Sequence, residues 1–156
     1  MPSMNRSIPI GANAASLRVN TQYAVRGRDL PTRHQLQQWL GAVLPERTAG
    51  ASILVRFTDA AESAELNTQY RSKNYPTNVL SFPAQPLPAG VRLRPSLGDL
   101  VLCVEVVRRE AQIQGKPLEA HWAHLLLHGL LHLLGYDHET PAEASIMETL
   151  EQDLLT

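Results

Sequence analysis

Residues 117–138 read PLEAHWAHLLLHGLLHLLGYDH, and this stretch decides most of what the sequence predicts. Its apolar pattern predicts a helix over residues 117–134. Side chains four positions apart in a helix lie about 40° apart around the axis and roughly 6 Å along it. His128 and His132 therefore project from one face. Gly135 follows the last turn, where glycine adopts the left-handed conformation at little cost, so we expect it to end the helix.

The chain that reverses at this glycine can bring a third imidazole, His138, back to the other two. Three nitrogen ligands on a tetrahedral ion leave one position for water, which is the arrangement of a catalytic zinc site. We therefore predict one Zn²⁺ per chain, held by His128, His132 and His138. Asp137 is expected to orient a ligand histidine through its second ring nitrogen, or else to fix the turn by a local hydrogen bond.

Two further histidines lie on the same helix. The stripe of His124, His128 and His132 is a rival ligand set, but it spans roughly 12 Å along a straight helix, too far to converge on one ion. His124 is better interpreted as a group that faces the substrate or supports a ligand. His121 is expected at the surface near the start of the helix.

Gly129 occupies the position at which zinc peptidases of the H-E-x-x-H type carry their general base, a glutamate. The spacing otherwise matches the longer peptidase pattern H-x-x-x-H-x-x-G-x-x-H. A metal-dependent hydrolase with another substrate is therefore favoured. A peptidase or amidohydrolase that takes its base from another segment, such as Glu139, remains an alternative.

Length and composition favour one globular domain. The chain has 156 residues, of which 44% are hydrophobic and 19% charged, and we predict a loose arm over 1–15 followed by one metal-dependent domain over 16–156. No apolar stretch approaches the ~20 residues that a membrane span needs, and the N-terminus lacks the apolar core of an export signal. One cysteine, Cys103, excludes an internal disulfide, so we expect a cytoplasmic protein without membrane association.

The net charge of −1 conceals an uneven distribution. Residues 1–116 hold all 14 Lys and Arg against 8 Asp and Glu, a net charge of +6, whereas residues 117–156 hold 7 acidic residues and none that are basic, a net charge of −7. A cleft in the first part could attract a polyanion, because the field near a cleft depends on local charges.

The pattern along the chain predicts an α+β fold. Strands are expected at 17–24, 52–57, 78–82 and 98–103, and helices at 32–44, from Asp59 onward, at 104–114, 117–134 and 141–154. Thr32 and Asp59 are the expected N-caps, with Glu62 placed as in a capping box. Together these elements predict one domain with a small mixed four-stranded sheet, about five helices around it, and a site like that of zinc hydrolases on the central helix.

Three separate blocks of the sequence resemble one family. They are YRSKNYPTNVLSFP at residues 70–83, the Gly98-Asp99 pair, and HGxxHxxGYDH at residues 128–138. In order and spacing they are similar to the YbeY family of bacterial metal-dependent endoribonucleases, which act in ribosomal RNA maturation. Asn74 and Asn78 depart from this pattern, because many relatives have aspartate there.

The resemblance implies zinc held by the three histidines and cleavage of single-stranded RNA. It also implies work on the small ribosomal subunit and its proteins, including maturation of the 3′ end of its RNA and quality control of ribosomes. Arg71 and His128 are the implied catalytic residues. Arginine suits this role because its planar guanidinium can bind two phosphate oxygens as negative charge develops during phosphodiester cleavage.

The remaining predicted site residues are polar groups near these blocks. Lys73, Asn78, Ser81 and His124 join Arg71 as expected substrate-binding residues, and Asp99 joins Asp137 as an expected supporting residue. Either a metal-activated water or the RNA 2′-hydroxyl could attack phosphorus, and the sequence leaves both open. A non-catalytic RNA-binding assembly factor with a structural metal is a further alternative.

Overall fold

The computed structural model of the protein describes residues 16–91 and 95–136, together with Ser145, Glu148, Thr149 and Gln152. The predicted arm over 1–15 lies outside the described residues. The last four named residues are helical, within the predicted helix 141–154, and the rest of that helix also lies outside the described part.

A four-stranded mixed sheet forms the framework, as predicted. Strands β1 (Arg18–Tyr23), β2 (Ser52–Thr58) and β4 (Ser96–Cys103) run parallel in the order β1-β2-β4. Strand β3 (Val79–Pro83) pairs antiparallel with β4 at the edge. The β3–β4 register places Ser81 opposite Leu100 on one face of the sheet.

Five helices surround this sheet in the described part of the chain. They are α1 (Arg33–Gly41), α2 (Pro45–Thr48), α3 (Ala60–Arg71), α4 (Val104–Gln114) and α5 (Leu118–Leu133). The predicted number and the α+β class are therefore confirmed.

Two details of the predicted helices differ in the structure. The helix predicted over 32–44 ends at Gly41 and is followed by the separate short α2, because Leu44 adopts a left-handed conformation with φ 43°. Thr32 is the N-cap of α1, in a reciprocal capping box with Gln35. Asp59 caps α3 through the backbone N–H of Glu62, but the Glu62 carboxylate binds Arg56 instead of completing a capping box.

Helix α5 is the central helix and covers one face of the sheet. Leu126, Leu127 and Leu130 are fully buried in the core with the inward side chains of β2 and β4, and the Trp122 ring meets the Phe57 ring edge to face with centroids 5.3 Å apart. A helix that is apolar on almost every side needs such an enclosed position.

Helix α3 lies across the opposite face of the sheet. Leu66 of α3 lines a cavity of about 560 Å³ together with Leu54, Asp99 and Val101 of the sheet. Alternation along a strand places Asp99 on the face opposite to Leu100. None of the helices in the described residues is long and apolar enough to cross a membrane.

Candidate active site

A cavity of about 590 Å³ opens where α5, the end of α3 and the edge strand β3 meet. It is lined by His128 and His132 from α5, by Tyr70 and Arg71 from α3, and by residues 77–82 of β3 and the turn before it. Three segments that are far apart in sequence, and that supply most of the predicted site residues, therefore border one cavity.

The two histidines reach this cavity because α5 is one uninterrupted helix from Leu118 to Leu133. His128 is half-buried and His132 is exposed. His128 therefore lies closer to the packed interior, and His132 lies closer to solvent. Their four-residue spacing puts both imidazoles on one helix face about 6 Å apart along the axis.

The third predicted ligand, His138, and the neighbouring Asp137 lie outside the described residues. Within the part of the chain that the structure describes, no group of three or more His, Cys, Asp or Glu side chains is arranged to hold a metal. Imidazole nitrogens are suitable ligands for zinc. The described residues therefore provide two of the three predicted ligands, His128 and His132, at one cavity.

The turn after α5 has the geometry that the sequence predicts. Gly135 has φ 92°, its N–H donates to the His132 carbonyl, and the Tyr136 N–H donates to the Leu131 carbonyl at 3.0 Å. This is a Schellman motif, and Gly135 ends the helix as expected.

Arg47 of α2 holds this turn from outside. Its guanidinium donates to the Leu134 carbonyl at 2.9 Å and lies over the Tyr136 ring, 5.2 Å from the centroid. The turn through Tyr136 is therefore held by tertiary contacts as well as by the glycine.

Arg71 is the last residue of α3 and is exposed at the cavity. The helix stops there because Ser72 adopts a left-handed conformation with φ 58°. Lys73, the next predicted substrate-binding residue, is exposed beyond this stop and is not among the side chains that line the cavity.

Two buried polar side chains of α3 attach the following loop, and sequence analysis did not identify either of them. Asn67 donates to the Tyr75 carbonyl at 2.8 Å, and the Ser63 hydroxyl both donates to the Thr77 carbonyl and accepts from the Thr77 N–H. The signal in the sequence is weak. Ser63 and Asn67 are four positions apart, so they share one face of α3, and that buried face is polar where an apolar face would be expected.

Asn78 lines the cavity, but its amide is engaged by protein groups. Nδ2 donates to the Glu110 carboxylate at 3.1 Å, and Oδ1 accepts from the Val79 N–H at 2.6 Å. Glu110 also binds His121 Nε2 at 2.9 Å. The expectation of a surface position for His121 was wrong, since this residue is only 3% exposed and its ring is paired with a carboxylate from the neighbouring helix α4.

Ser81 and His124 lie close to the histidine pair in different ways. A Cβ atom built on Gly129 would lie 3.4 Å from the Ser81 hydroxyl, which shows that Ser81 faces α5. His124 lines a smaller cavity of about 250 Å³ that shares Asn78, Val79 and His128 with the larger one. The His124 and His128 ring centroids are 5.9 Å apart.

Asp99 is not brought together with the histidines. It points away from α5 into the cavity on the opposite face of the sheet, and burial there raises the pKa of its carboxyl. Asp99 was predicted as a supporting residue because it belongs to the Gly98-Asp99 block of the resemblance, but the strand register decides which face of the sheet it occupies.

Comparison with known proteins shows the family and the fold of the chain. A sequence profile described as Endoribonuclease YbeY matches residues 20–156 of the chain. The chain belongs to the YbeY family. As a YbeY-family protein it is an endoribonuclease, a hydrolase whose substrate is RNA and whose place is in ribosomal RNA processing.

A solved structure shows the same fold as this YbeY-family chain. It is the solution structure of TM1509 from Thermotoga maritima, which is 24% identical in sequence and superposes with a TM-score of 0.59. The match covers 89% of this chain and 86% of TM1509. Sequence profile and fold therefore agree over most of the chain.

Proposed function

We propose that this protein is a zinc-dependent endoribonuclease specific for single-stranded RNA, acting in ribosomal RNA processing that includes 3′-end maturation of the small-subunit RNA and ribosome quality control. The observation that carries this proposal is the convergence of His128, His132 and Arg71 on one cavity. Arginine beside two potential metal ligands suits a reaction in which phosphate oxygens gain negative charge.

Zinc would be held by His128, His132 and His138. When bound, it would lower the pKa of a water toward ~7 and act as a Lewis acid toward a phosphoryl oxygen. Helix α5 fixes the backbone positions of the first two histidines relative to each other, and His138 follows the Schellman turn by three residues in sequence. Asp137, next to His138 in sequence, remains a predicted support for a ligand.

Arg71 would bind the phosphate of the scissile bond. It stands at the C-terminal end of α3, across the cavity from His128, and its guanidinium can donate to two non-bridging oxygens at once. The loop contacts of Asn67 and Ser63 fix the segment after α3 to the helix, which positions the wall opposite the histidines.

The size and lining of the cavity favour a single strand. Bases and phosphates of an unpaired strand can enter a recess of about 590 Å³, whereas a duplex hides its base edges and is too wide for it. Ser81 and Thr77 present polar groups on the β3 side. Lys73 lies just outside, where an exposed ammonium can interact with the phosphate of a neighbouring nucleotide.

Partners and location follow from this substrate. We propose that the protein acts on the small ribosomal subunit, contacts its proteins, and works in the cytoplasm. The positive charge of residues 1–116, a net +6, favours a polyanionic assembly, and the single buried thiol of Cys103 is suited to a reducing compartment.

Cleavage of single-stranded RNA with and without a chelator tests the proposal. We expect the full-length protein to cut a 5′-labelled oligonucleotide, to lose this activity with the chelator and to regain it with Zn²⁺. His128→Ala should lower cleavage by about 100-fold or more and reduce the zinc content per chain. His34→Ala, at an exposed position on α1, is the matched control and should behave as the parent protein.

The same preparation separates the alternatives. Cleavage of a peptide mixture without cleavage of RNA would replace the proposal with a peptidase or amidohydrolase. Tight RNA binding without turnover, at full zinc content, would indicate an assembly factor with a structural metal. The end group of the RNA product, a 5′-phosphate or a 2′,3′-cyclic phosphate, identifies the attacking group.

A further inference from the structure

Two aromatic side chains, Tyr70 and Phe82, line the active-site cavity beside the histidines and Arg71. Tyr70 precedes Arg71 in the last turn of α3 and is 61% exposed. Phe82 of β3 is half-buried beside it. Their ring centroids are 5.0 Å apart with an interplanar angle of 67°, so each ring supports the other.

The two rings stand at the β3 edge of the sheet, between the cavities on its two faces. Tyr70 and Phe82 line the cavity that holds His128 and His132, and they also line the 560 Å³ cavity on the opposite face. A planar group against the exposed part of the Tyr70 ring would therefore lie at the border of the two cavities, at the end of α3 that carries Arg71.

We propose that Tyr70, supported by Phe82, is a stacking platform for a nucleobase of the RNA strand whose phosphate lies at Arg71. This inference rests on the proposed function and adds the contact that would hold the strand. Single-stranded RNA is commonly bound by stacking of unpaired bases on aromatic rings. The ring of Tyr70 is exposed in the unbound protein, and the stacked base would cover it.

The platform also explains a preference for single-stranded over double-stranded RNA without a preference for base sequence. Every base has a π-face, so stacking tolerates any base, whereas bases that are paired and stacked in a duplex have no free face to offer. Tyr70 and Arg71 both line the cavity, so the last turn of α3 would bind the base and the phosphate of the same short stretch of RNA.

A combined change of enzyme and substrate tests the platform. Oligonucleotides carrying one abasic residue, moved one nucleotide at a time relative to the cleavage site, are cleaved by the parent protein and by Tyr70→Leu. We expect one abasic position to lower kcat/KM of the parent protein about 5- to 150-fold. Tyr70→Leu should lower kcat/KM for intact RNA by a similar factor and should no longer respond to that abasic position.

Two further variants define the cause. Tyr70→Phe keeps the ring and should recover most of the loss. Tyr75→Leu removes another exposed tyrosine, 53% accessible and absent from the cavity lining, and should match the parent protein. The inference is overturned if Tyr70→Leu resembles Tyr75→Leu, or if it still responds to the abasic residue. Absence of RNA cleavage by the parent protein would instead overturn the proposed function.

Discussion

The two faces of the sheet differ in where their polar side chains lie. On the face covered by α5, apolar side chains form the packed core, and His128, His132 and Arg71 border an open cavity at the β3 edge. On the face crossed by α3, polar groups lie over the strands themselves. There Arg56 binds Glu62 through two hydrogen bonds of 2.6 and 2.7 Å.

Under the proposed function, this difference separates side chains that act on the substrate from side chains that stabilise the fold. Arg56 and Glu62 satisfy each other, and the Arg56 guanidinium lowers the pKa of the Glu62 carboxyl. Arg71 instead stands exposed at a cavity with imidazole donors opposite. Two arginines near the same sheet are therefore expected to differ in what their removal changes.

Replacing each arginine in turn gives the largest expected effect. Arg71→Ala should lower kcat for single-stranded RNA about 100- to 1,000-fold, because a donor to the transition-state phosphate is lost, with an unchanged Tm. Arg56→Ala should leave kcat unchanged and lower Tm, because Glu62 loses its partner. Rate assays and thermal unfolding of both variants check this. Equal losses of kcat in the two variants would remove the distinction between the faces.

Gly129 tests how closely α5 is packed on its face of the sheet. A Cβ atom there would lie 2.7 Å from Leu100 Cδ2, so Gly129→Ala should destabilise the protein by about 1 kcal/mol: overpacking costs about 1–3 kcal/mol and the higher helix propensity of alanine returns about 1 kcal/mol. Denaturant unfolding measures this.

A second substitution provides the control for this contact. Leu100→Val removes a methylene from the crowded position, so Gly129→Ala should cost less in that background, by a few tenths of a kcal/mol or more. An equal cost in both backgrounds would show that the α5–sheet contact is looser than the structure has it.

Two carboxyls on the α3 face should respond to pH with opposite sign, and this is the smallest effect. Burial raises the pKa of Asp99, so its ionised form costs stability at neutral pH and the cost disappears as the pH falls through the raised pKa. The pKa of Glu62 is lowered by Arg56, so its contribution is present above the unfolded value near 4.3 and is lost as the pH falls through the lower folded pKa.

Neutral amides at these positions separate the two cases. Asp99→Asn should raise Tm at pH 7 by roughly 1–3 °C, and Glu62→Gln should lower it by a similar amount. As the pH falls, the Asp99→Asn difference should vanish first, because the pKa of Asp99 is raised, and the Glu62→Gln difference should vanish at lower pH, because the pKa of Glu62 is lowered. A lower Tm for Asp99→Asn at pH 7 would mean that the carboxylate has a stabilising partner.

The sequence motif shows that position 129 has no glutamate but does not explain why. The sequence shows that no carboxylate stands there, which favours a substrate other than a peptide. The structure supplies the physical reason: this side of α5 lies against Leu100 and Ser81, so a long side chain has no room. A general base at this position is excluded by packing, not only by the choice of residue.

The site was predictable where it depends on neighbours in sequence. The four-residue spacing of His128 and His132 needs only a regular helix, and the stop at Gly135 needs only the conformational freedom of glycine. The four strands were recognisable from alternating or continuous apolar residues. The extra helix α2 was not, because a single turn of four residues has no periodicity to detect.

The sequence by itself determined the spacing of the histidines, the end of their helix and the family blocks around residues 70–83, because each of these depends on local geometry. Only the tertiary structure decided that Arg71 borders the same cavity as those histidines, that Asp99 lies on the opposite face of the sheet, and that His121 is buried against Glu110. Strand register and helix packing set these positions. A shift of one residue in a strand moves a side chain to the opposite face, and no local pattern fixes that choice for a single polar residue.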